Sequence, residues 1–355
     1  MRLGDLLPRP YPTLDWLQVE VSTHTTDSGG THGLHAAHRD RWITAHFSME
    51  LFHALLPAIQ RVAMVHLQGW GEPFLHPQLV DMVALAKRAE CRVTTATSGE
   101  ALQEPVLDAL ARIGLDSITF SLAALDEKRN LERKGASMHA MFRALDILRR
   151  VKERLNVDRP KANVLYTLHR SGVDLDYDPK GSPLDRDELA RLPAALEGLG
   201  VSTIIISPVA FTARREQQQE TLVPANEAEY QRAKRRLDLA VRETRDKGMA
   251  MHYFLMHGGR EDMRCIENVR GAAFVDVAGN VAPCVFSALP VDGPASCWFM
   301  GREHPLPRLT FGNVADRPFK AIWRDPDYAR FRRASTRDGH PPHCGSCWRP
   351  YMAPA

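Results

Sequence analysis

The chain predicts a parallel α/β fold, open or barrel-like, followed by a smaller cysteine-rich segment at its C-terminal end. Three observations predict it. Strand-like runs alternate with amphipathic segments six or seven times up to residue 255. Several of these runs are almost continuously apolar or β-branched, as strands covered by helices are. Five of the six cysteines fall after residue 260.

The first strand is expected at "WLQVEVS" (16–22), followed by a helix over "SMELFHALLPAIQRV" (48–62), whose apolar residues recur at helical spacing. Strands over 63–68, 91–97, 117–122, 162–168, 201–209 and 249–255 then alternate with helices over 77–90, 101–114, 139–155, 189–200 and 227–248. In "ARIGLDS" and "EGLGVST" a glycine closes a helix shortly before the next strand. The polar stretch 168–189 reads as a surface loop. From about residue 256 helical periodicity gives way to Gly, Pro and Cys. The domain boundary is drawn there, with 1–255 as the α/β unit and 256–355 as the cysteine-rich one.

At 355 residues, 44% hydrophobic and 25% charged, the composition is that of a globular protein with a sizeable core. The formal charge of +3 is too small to argue for nucleic acid or an anionic membrane surface, so neither is expected as a partner. No apolar run is long enough to span a bilayer. The opening "MRLGDLLPRPYP" lacks the apolar core of a signal peptide, so a cytoplasmic location is expected.

The cysteines carry the strongest chemical signal. Cys265 precedes "GAAFVDVAGNVAPC", which ends at Cys284, and Cys344 and Cys347 form a CxxC near the end of the chain. A CxxC turn aims two sulfurs at one ion or cluster, and two further cysteines complete a four-thiolate shell. Zinc and a 4Fe–4S cluster both accept such a shell, and spacing does not choose between them. Cys91 opens a strand and reads as a core residue, whereas Cys297 is a loop cysteine or a spare ligand.

"LQGWGEPFLHP" (67–77) follows the second strand, and "TATSGE" (95–100) ends the third. Glycines at strand ends let a ligand approach the backbone, and the C-terminal edge of a parallel sheet is where α/β proteins bind ligands. Gly71, Glu72, Ser98 and Ser121 are the candidate ligand-contacting residues, with Glu72 placed to accept from an ammonium group.

Together these motifs resemble the radical S-adenosylmethionine (SAM) family with a C-terminal SPASM domain. "GWGEPFLHP" is similar to the family's GGEP motif, with Trp70 at the first glycine. "TATSGEAL" and "LDSITFSLAALD" are similar to the ends of its third and fourth strands. "GAAFVDVAGNVAPC", "FGNVADRPFKAIWRDPDYARFR" and the final CxxC resemble the SPASM pattern. The resemblance implies a partial (β/α)6 TIM-type barrel capped by an auxiliary 4Fe–4S cluster on Cys265, Cys284, Cys344 and Cys347.

One motif departs from the family. Its members carry CxxxCxxC after the first strand, and those cysteines hold the cluster that cleaves SAM. Here no cysteine precedes residue 91, and Thr31, His35 and His38 of "THGLHAAH" keep the register instead. Three readings stay open. The chain is a pseudoenzyme that binds a peptide, a partner enzyme or SAM without cleaving it, acting as an accessory protein in a modification or biosynthetic pathway. Alternatively His35 and His38, among the histidines at 24, 32, 35, 38 and 46, hold another metal in a metalloenzyme. Or radical SAM chemistry persists on an unusually ligated cluster. No residue is nominated as a general acid, general base or nucleophile. Tyr166 is expected in the barrel lumen or its core, and Trp323 and Trp348 are expected to pack in the SPASM-like segment.

Overall fold

The computed structural model describes residues 14–26, 33–178, 180, 187–256, 265–335, 339, 341–345, 347 and 352–354. Seven strands form its centre: β1 (Trp16–Val19), β2 (Met64–Leu67), β3 (Arg92–Thr97), β4 (Ser117–Leu122), β5 (Lys161–Leu168), β6 (Val201–Pro208) and β7 (Ala250–Met256). They lie side by side in chain order and every neighbouring pair is parallel. An order that never reverses has no switch point, so the sheet is wound in one sense, as in barrel-type folds, rather than doubly.

The connecting helices are α1 (Leu34–Ala37) and α2 (Met49–Ile59), α3 (Leu79–Arg88), α4 (Glu104–Ile113), α5 (Glu127–Lys134) and α6 (Met138–Leu155), α7 (Glu188–Leu196) and α8 (Glu227–Arg245). Their ends follow from local chemistry. The hydroxyls of Ser48 and Ser137 accept from the Leu51 and Ala140 amides at 3.1 Å and cap α2 and α6. Gly114, at φ +82°, closes α4 in the left-handed conformation glycine tolerates. Leu17, Val65, Val93, Ile118, Val164 and Ile204, one from each of six strands, are fully buried in one core.

The C-terminal segment continues this sheet. β8 (Ala272–Val275) pairs parallel with β1, and β9 (Val281–Ala282) runs antiparallel to β8. At the other end β12 (Met352–Pro354) pairs antiparallel with β7. Both flanks of the seven-stranded run therefore have partners from beyond residue 265. A hairpin of β10 (Ser296–Phe299) and β11 (Arg302–Pro305), then α9 (Phe319–Trp323) and α10 (Pro326–Ala334), complete the described chain. The boundary drawn at 255/256 falls at the end of β7, and residues 257–264 lie outside the described set.

Two elements differ from the sequence reading. The first strand ends at Val19, not at residue 22; beyond it Ser22 makes only an isolated bridge to His46. Helix α5 was not foreseen, because "EKRNLERK" has no apolar face. Polar contacts hold it instead: Asn130 accepts from the Ala123 and Ala124 amides at 2.8 and 3.2 Å and donates to the Ala136 carbonyl at 2.8 Å. Among the described residues no helix is long and apolar enough to cross a membrane.

Candidate functional site

A cavity of about 530 Å³ opens at the C-terminal ends of the parallel strands. All four residues nominated from sequence, Gly71, Glu72, Ser98 and Ser121, line it. They come from the ends of β2, β3 and β4, which parallel pairing brings to one edge. Val285 and Phe286, just after Cys284, supply part of the wall from the C-terminal segment.

The loop after β2 is shaped by close backbone approach. A Cβ at Gly71 would lie 2.5 Å from the His24 carbonyl oxygen and 2.6 Å from that of Ser22. Only glycine lets the two segments touch, and the contact is sealed by the Glu72 amide donating to the His24 carbonyl at 2.7 Å. Gly69 plays the same part towards Glu20, whose Cγ would be 2.4 Å from a Cβ there. Trp70, at the family's first glycine, donates its amide to Glu20 Oε1 at 2.9 Å and its indole N–H to the Val285 carbonyl at 3.1 Å. Its ring stands edge-on to Phe286, with centroids 5.6 Å apart. The larger side chain thus ties the β2 loop to the C-terminal segment.

Glu72 is buried, and both its oxygens are engaged by the chain. Oε1 accepts from the Phe74 amide at 3.1 Å, and Oε2 accepts from the Ser98 amide and hydroxyl at 2.8 and 3.0 Å. Burial raises its pKa above the ordinary carboxylate value, against the lowering effect of these donors. Lys134, the last residue of α5, lines the same cavity and is exposed.

The histidines of the first loop diverge. His35 lines the cavity with its ring edge-on to Trp42 at 4.8 Å. His38 caps α1, and its Nδ1 accepts from Arg41 at 3.1 Å. Arg41 in turn donates to the carbonyls of Asp292 and Pro294 at 3.0 and 2.8 Å, so His38 belongs to the contact with the C-terminal segment. His24, His46 and His76 make a separate group, stacked at 4.1 Å and then edge-on at 5.0 Å. Both ring nitrogens of His76 are used, against the Phe47 carbonyl and the Gln78 amide. Thr31 and His32 lie outside the described residues.

Among the described residues the four candidate cluster cysteines form no disulfide, and all four are half-buried. Cys265 is pushed up to about 12 by burial first, then by Cys284, with Cys347 a smaller influence. Cys344 is pushed up to about 12 by burial, Cys284 and Cys265. Cys265, Cys284 and Cys344 also pack on the main core. Among the described residues no three His, Cys, Asp or Glu side chains converge as ligands of a single ion do. Cys91 is buried at the start of β3 and contacts the Val62 carbonyl, and Cys297 is fully buried in a second apolar cluster.

The sequence pattern of the radical SAM superfamily matches residues 35–171, and that of SPASM, an iron–sulfur cluster-binding domain, matches residues 265–348. The chain belongs to the radical SAM/SPASM superfamily. The PqqA peptide cyclase of Gluconobacter oxydans (strain 621H) is 27% identical to this superfamily member over 295 residues, 81% of this chain and 70% of the relative. A tungsten-containing aldehyde ferredoxin oxidoreductase cofactor-modifying protein of Pyrococcus furiosus is 25% identical over 80% of this chain and 73% of its own. Streptococcus suis SuiB bound to S-adenosylmethionine superposes with a TM-score of 0.64 at 13% identity, covering 96% of this chain and 72% of SuiB. The structure of anSMEcpe with bound AdoMet and the Kp18Cys peptide gives 0.57 at 13% identity, over 95% and 88%. At such identity these structures speak for the fold of the radical SAM/SPASM protein.

Sequence reasoning missed Lys134, Arg133, His169, Trp42 and Phe211, which also line the cavity. The lysine and arginine sit in the helix without an apolar face, where a charged run reads as solvated surface. A cap residue before that run, Asp126, and Gly135 after it were the available signals.

Proposed function

We propose that this protein is a radical SAM/SPASM scaffold that has kept the cap cluster and lost SAM cleavage, and that it binds a ligand in the strand-end cavity as an accessory protein. The observation that carries this reading is the placement of its cysteines. Four thiols gather in the C-terminal segment, whereas the first loop has none. Cys91, the earliest in the chain, is no substitute. It lies at the N-terminal end of β3, about 20 Å of strand from the cavity at the other end.

The donor set at Cys265, Cys284, Cys344 and Cys347 fits an iron–sulfur cluster: four half-buried thiols, of which Cys265, Cys284 and Cys344 are disfavoured as thiolates by burial until a cation is present. Such a cluster supplies a one-electron redox centre. The chain's own contribution is to hold it next to Val285 and Phe286, which wall the cavity. In the first loop Thr31, His35 and His38 do not fit a SAM-cleaving cluster, since three thiolates are lost and His38 is engaged with Arg41. The ligand class we favour is a peptide. Relatives are named for a peptide cyclase and a cofactor-modifying protein, and SuiB has been seen with its precursor peptide.

Iron analysis tests this reading. Anaerobically reconstituted protein should hold about four irons and four sulfides per chain, lose them when the four cap cysteines become serine, and keep them in Cys91→Ala. No 5′-deoxyadenosine should form from SAM and a strong reductant. Twice that iron content, or 5′-deoxyadenosine above background, overturns the proposal.

A further inference from the structure

Helix α10 carries a cation with no anion beside it. Arg332 lies one turn after Tyr328 on the same helix face. Its guanidinium carbon is 4.5 Å from the centre of that ring and 3.7 Å from the centre of Trp323, and both rings are buried. Nη2 donates to the Trp323 carbonyl at 2.8 Å, whereas Nη1 is shut off from solvent and has no hydrogen-bond partner. The carboxylates close by in the chain are taken by other arginines: Asp325 pairs with Arg317 at 3.0 Å and Asp327 with Arg330 at 2.8 Å. Resting on the cap cluster proposed above, we infer that Arg332 is the cation that offsets the negative charge of that cluster and raises its reduction potential.

A half-buried guanidinium loses hydration, and two aromatic faces offset only part of that cost. Burial and the neighbouring charge of Arg333 both disfavour the cation here, and only Tyr328 acts the other way. An anion brought close by a bound cofactor supplies the missing compensation. Tyr328 connects the arginine to the cysteines. Its hydroxyl donates to the carbonyl of Ala282, two residues before Cys284, at 3.4 Å. Arg332 and Cys284 act on this buried tyrosine with opposite sign, so one ring lies within electrostatic range of the cation and of a cluster ligand. Trp323, Tyr328 and Phe331 also share the apolar core on which Cys265, Cys284 and Cys344 pack. Across such a medium charges interact more strongly than through water. A cluster held by four thiolates is anionic, and reduction adds one more negative charge. A fixed cation nearby therefore favours the reduced form.

The test is a dithionite redox titration of the reconstituted full chain, followed by the electron paramagnetic resonance signal of the reduced cluster. Wild type is compared with Arg332→Gln, Arg332→Met, Arg332→Lys and Arg333→Met, and iron content and thermal midpoints are recorded on the same samples. Loss of the charge in Arg332→Gln and Arg332→Met should lower the equilibrium constant for one-electron reduction about tenfold, a fall of about 59 mV. Arg332→Lys keeps the charge and should return most of that shift. Arg333 is exposed and screened by water, so Arg333→Met should leave the potential where it is. If the two neutral variants lose iron while Arg332→Lys holds about four per chain, the charge is needed to keep the cluster, and the inference stands. Unchanged potentials in the neutral variants, a lysine variant as low as they are, or iron loss in all three overturn it, because packing over the rings is then the whole role of Arg332. The two readings fail separately. Wild type with about eight irons sinks the loss of SAM cleavage, and the charge-dependent shift is then read on the signal that disappears with the cap cysteines. Wild type that takes up no iron sinks the cap cluster and the role of Arg332 together.

Discussion

Glu72 and Ser98 are joined twice, the Oε2 of the carboxylate accepting from the serine amide at 2.8 Å and from its hydroxyl at 3.0 Å. This clamp fastens the end of β2 to the end of β3, so Glu72 acts as a brace of the cavity rim. Ser98→Ala removes one of the two bonds and should cost about 1 kcal/mol in urea unfolding. Glu72→Ala strands the Phe74 and Ser98 amides and should cost roughly 1–3 kcal/mol for each donor left unpaired. Equal losses in the two variants would contradict the brace.

Gly71→Ala places a methyl group against two backbone carbonyls, at 2.5 and 2.6 Å, neither of which can swing away as a side chain would. The segment from Ser22 to His24 must separate from the β2 loop and break the bond between the Glu72 amide and the His24 carbonyl. Destabilisation of roughly 1–3 kcal/mol is expected, together with faster amide hydrogen exchange at Glu72. An alanine variant with native stability and exchange would refute the close approach.

Glu20 makes stability depend on pH. It is fully buried, and burial outweighs the donations from the Trp70 and Val277 amides, raising its pKa from 4.5 to about 8. The folded state therefore keeps a proton that the unfolded state has released. The stabilisation is complete below 4.5 and is lost as the pH climbs to about 8. Histidines with depressed pKa values, such as His46 and His76, act in the opposite sense below their usual range, so the comparison must be with a variant. The stability of wild type minus that of Glu20→Gln should fall by roughly 1.4 kcal/mol per pH unit through the window. Parallel curves would exclude the effect.

Asp187 and Arg236 form a buried two-bond ion pair, at 2.8 and 3.0 Å, with side chains 0% and 1% exposed. Asp187 also caps α7 by accepting from the Ala190 amide at 2.9 Å. The next residue, Glu188, bonds the Tyr166 hydroxyl and pairs with Arg129, beside the cavity-lining Arg133. Asp187→Ala leaves a buried guanidinium without its partner and should cost roughly 3–5 kcal/mol, little affected by salt. Double replacement by apolar residues of similar size should recover part of it. A loss screened away by high salt would show that the pair is solvated.

The parts of the fold that were legible are those written in one dimension. Residues 117–122 are a strand in the sequence pattern and in the structure, and the long helices fall within a few residues of their expected ranges. Alternating apolar runs and amphipathic helices encode themselves locally. Tyr166 was placed only as lumen or core; it is fully buried with its hydroxyl on Glu188. Trp323 packs in the core, with Arg332 over its ring at 3.7 Å, and Trp348 lies outside the described residues. Helix α5 was illegible because polar bonds to Asn130, and not a periodic apolar face, hold it down.

The sequence by itself determined the chemical inventory. It supplied four late cysteines with cluster spacing, a first loop without cysteine, and glycines and a glutamate at strand ends, because these depend on residue identity alone. Tertiary structure decided which of those groups meet. Parallel pairing brought Gly71, Glu72, Ser98 and Ser121 to one cavity, since strands wound in one sense present all their C-terminal ends to the same edge. It set His35 in that cavity and His38 against Arg41, because residues three apart at the end of a single short turn need not share surroundings. It also turned Lys134, a charged residue on a polar helix, towards the ligand space, an orientation that no local pattern encodes.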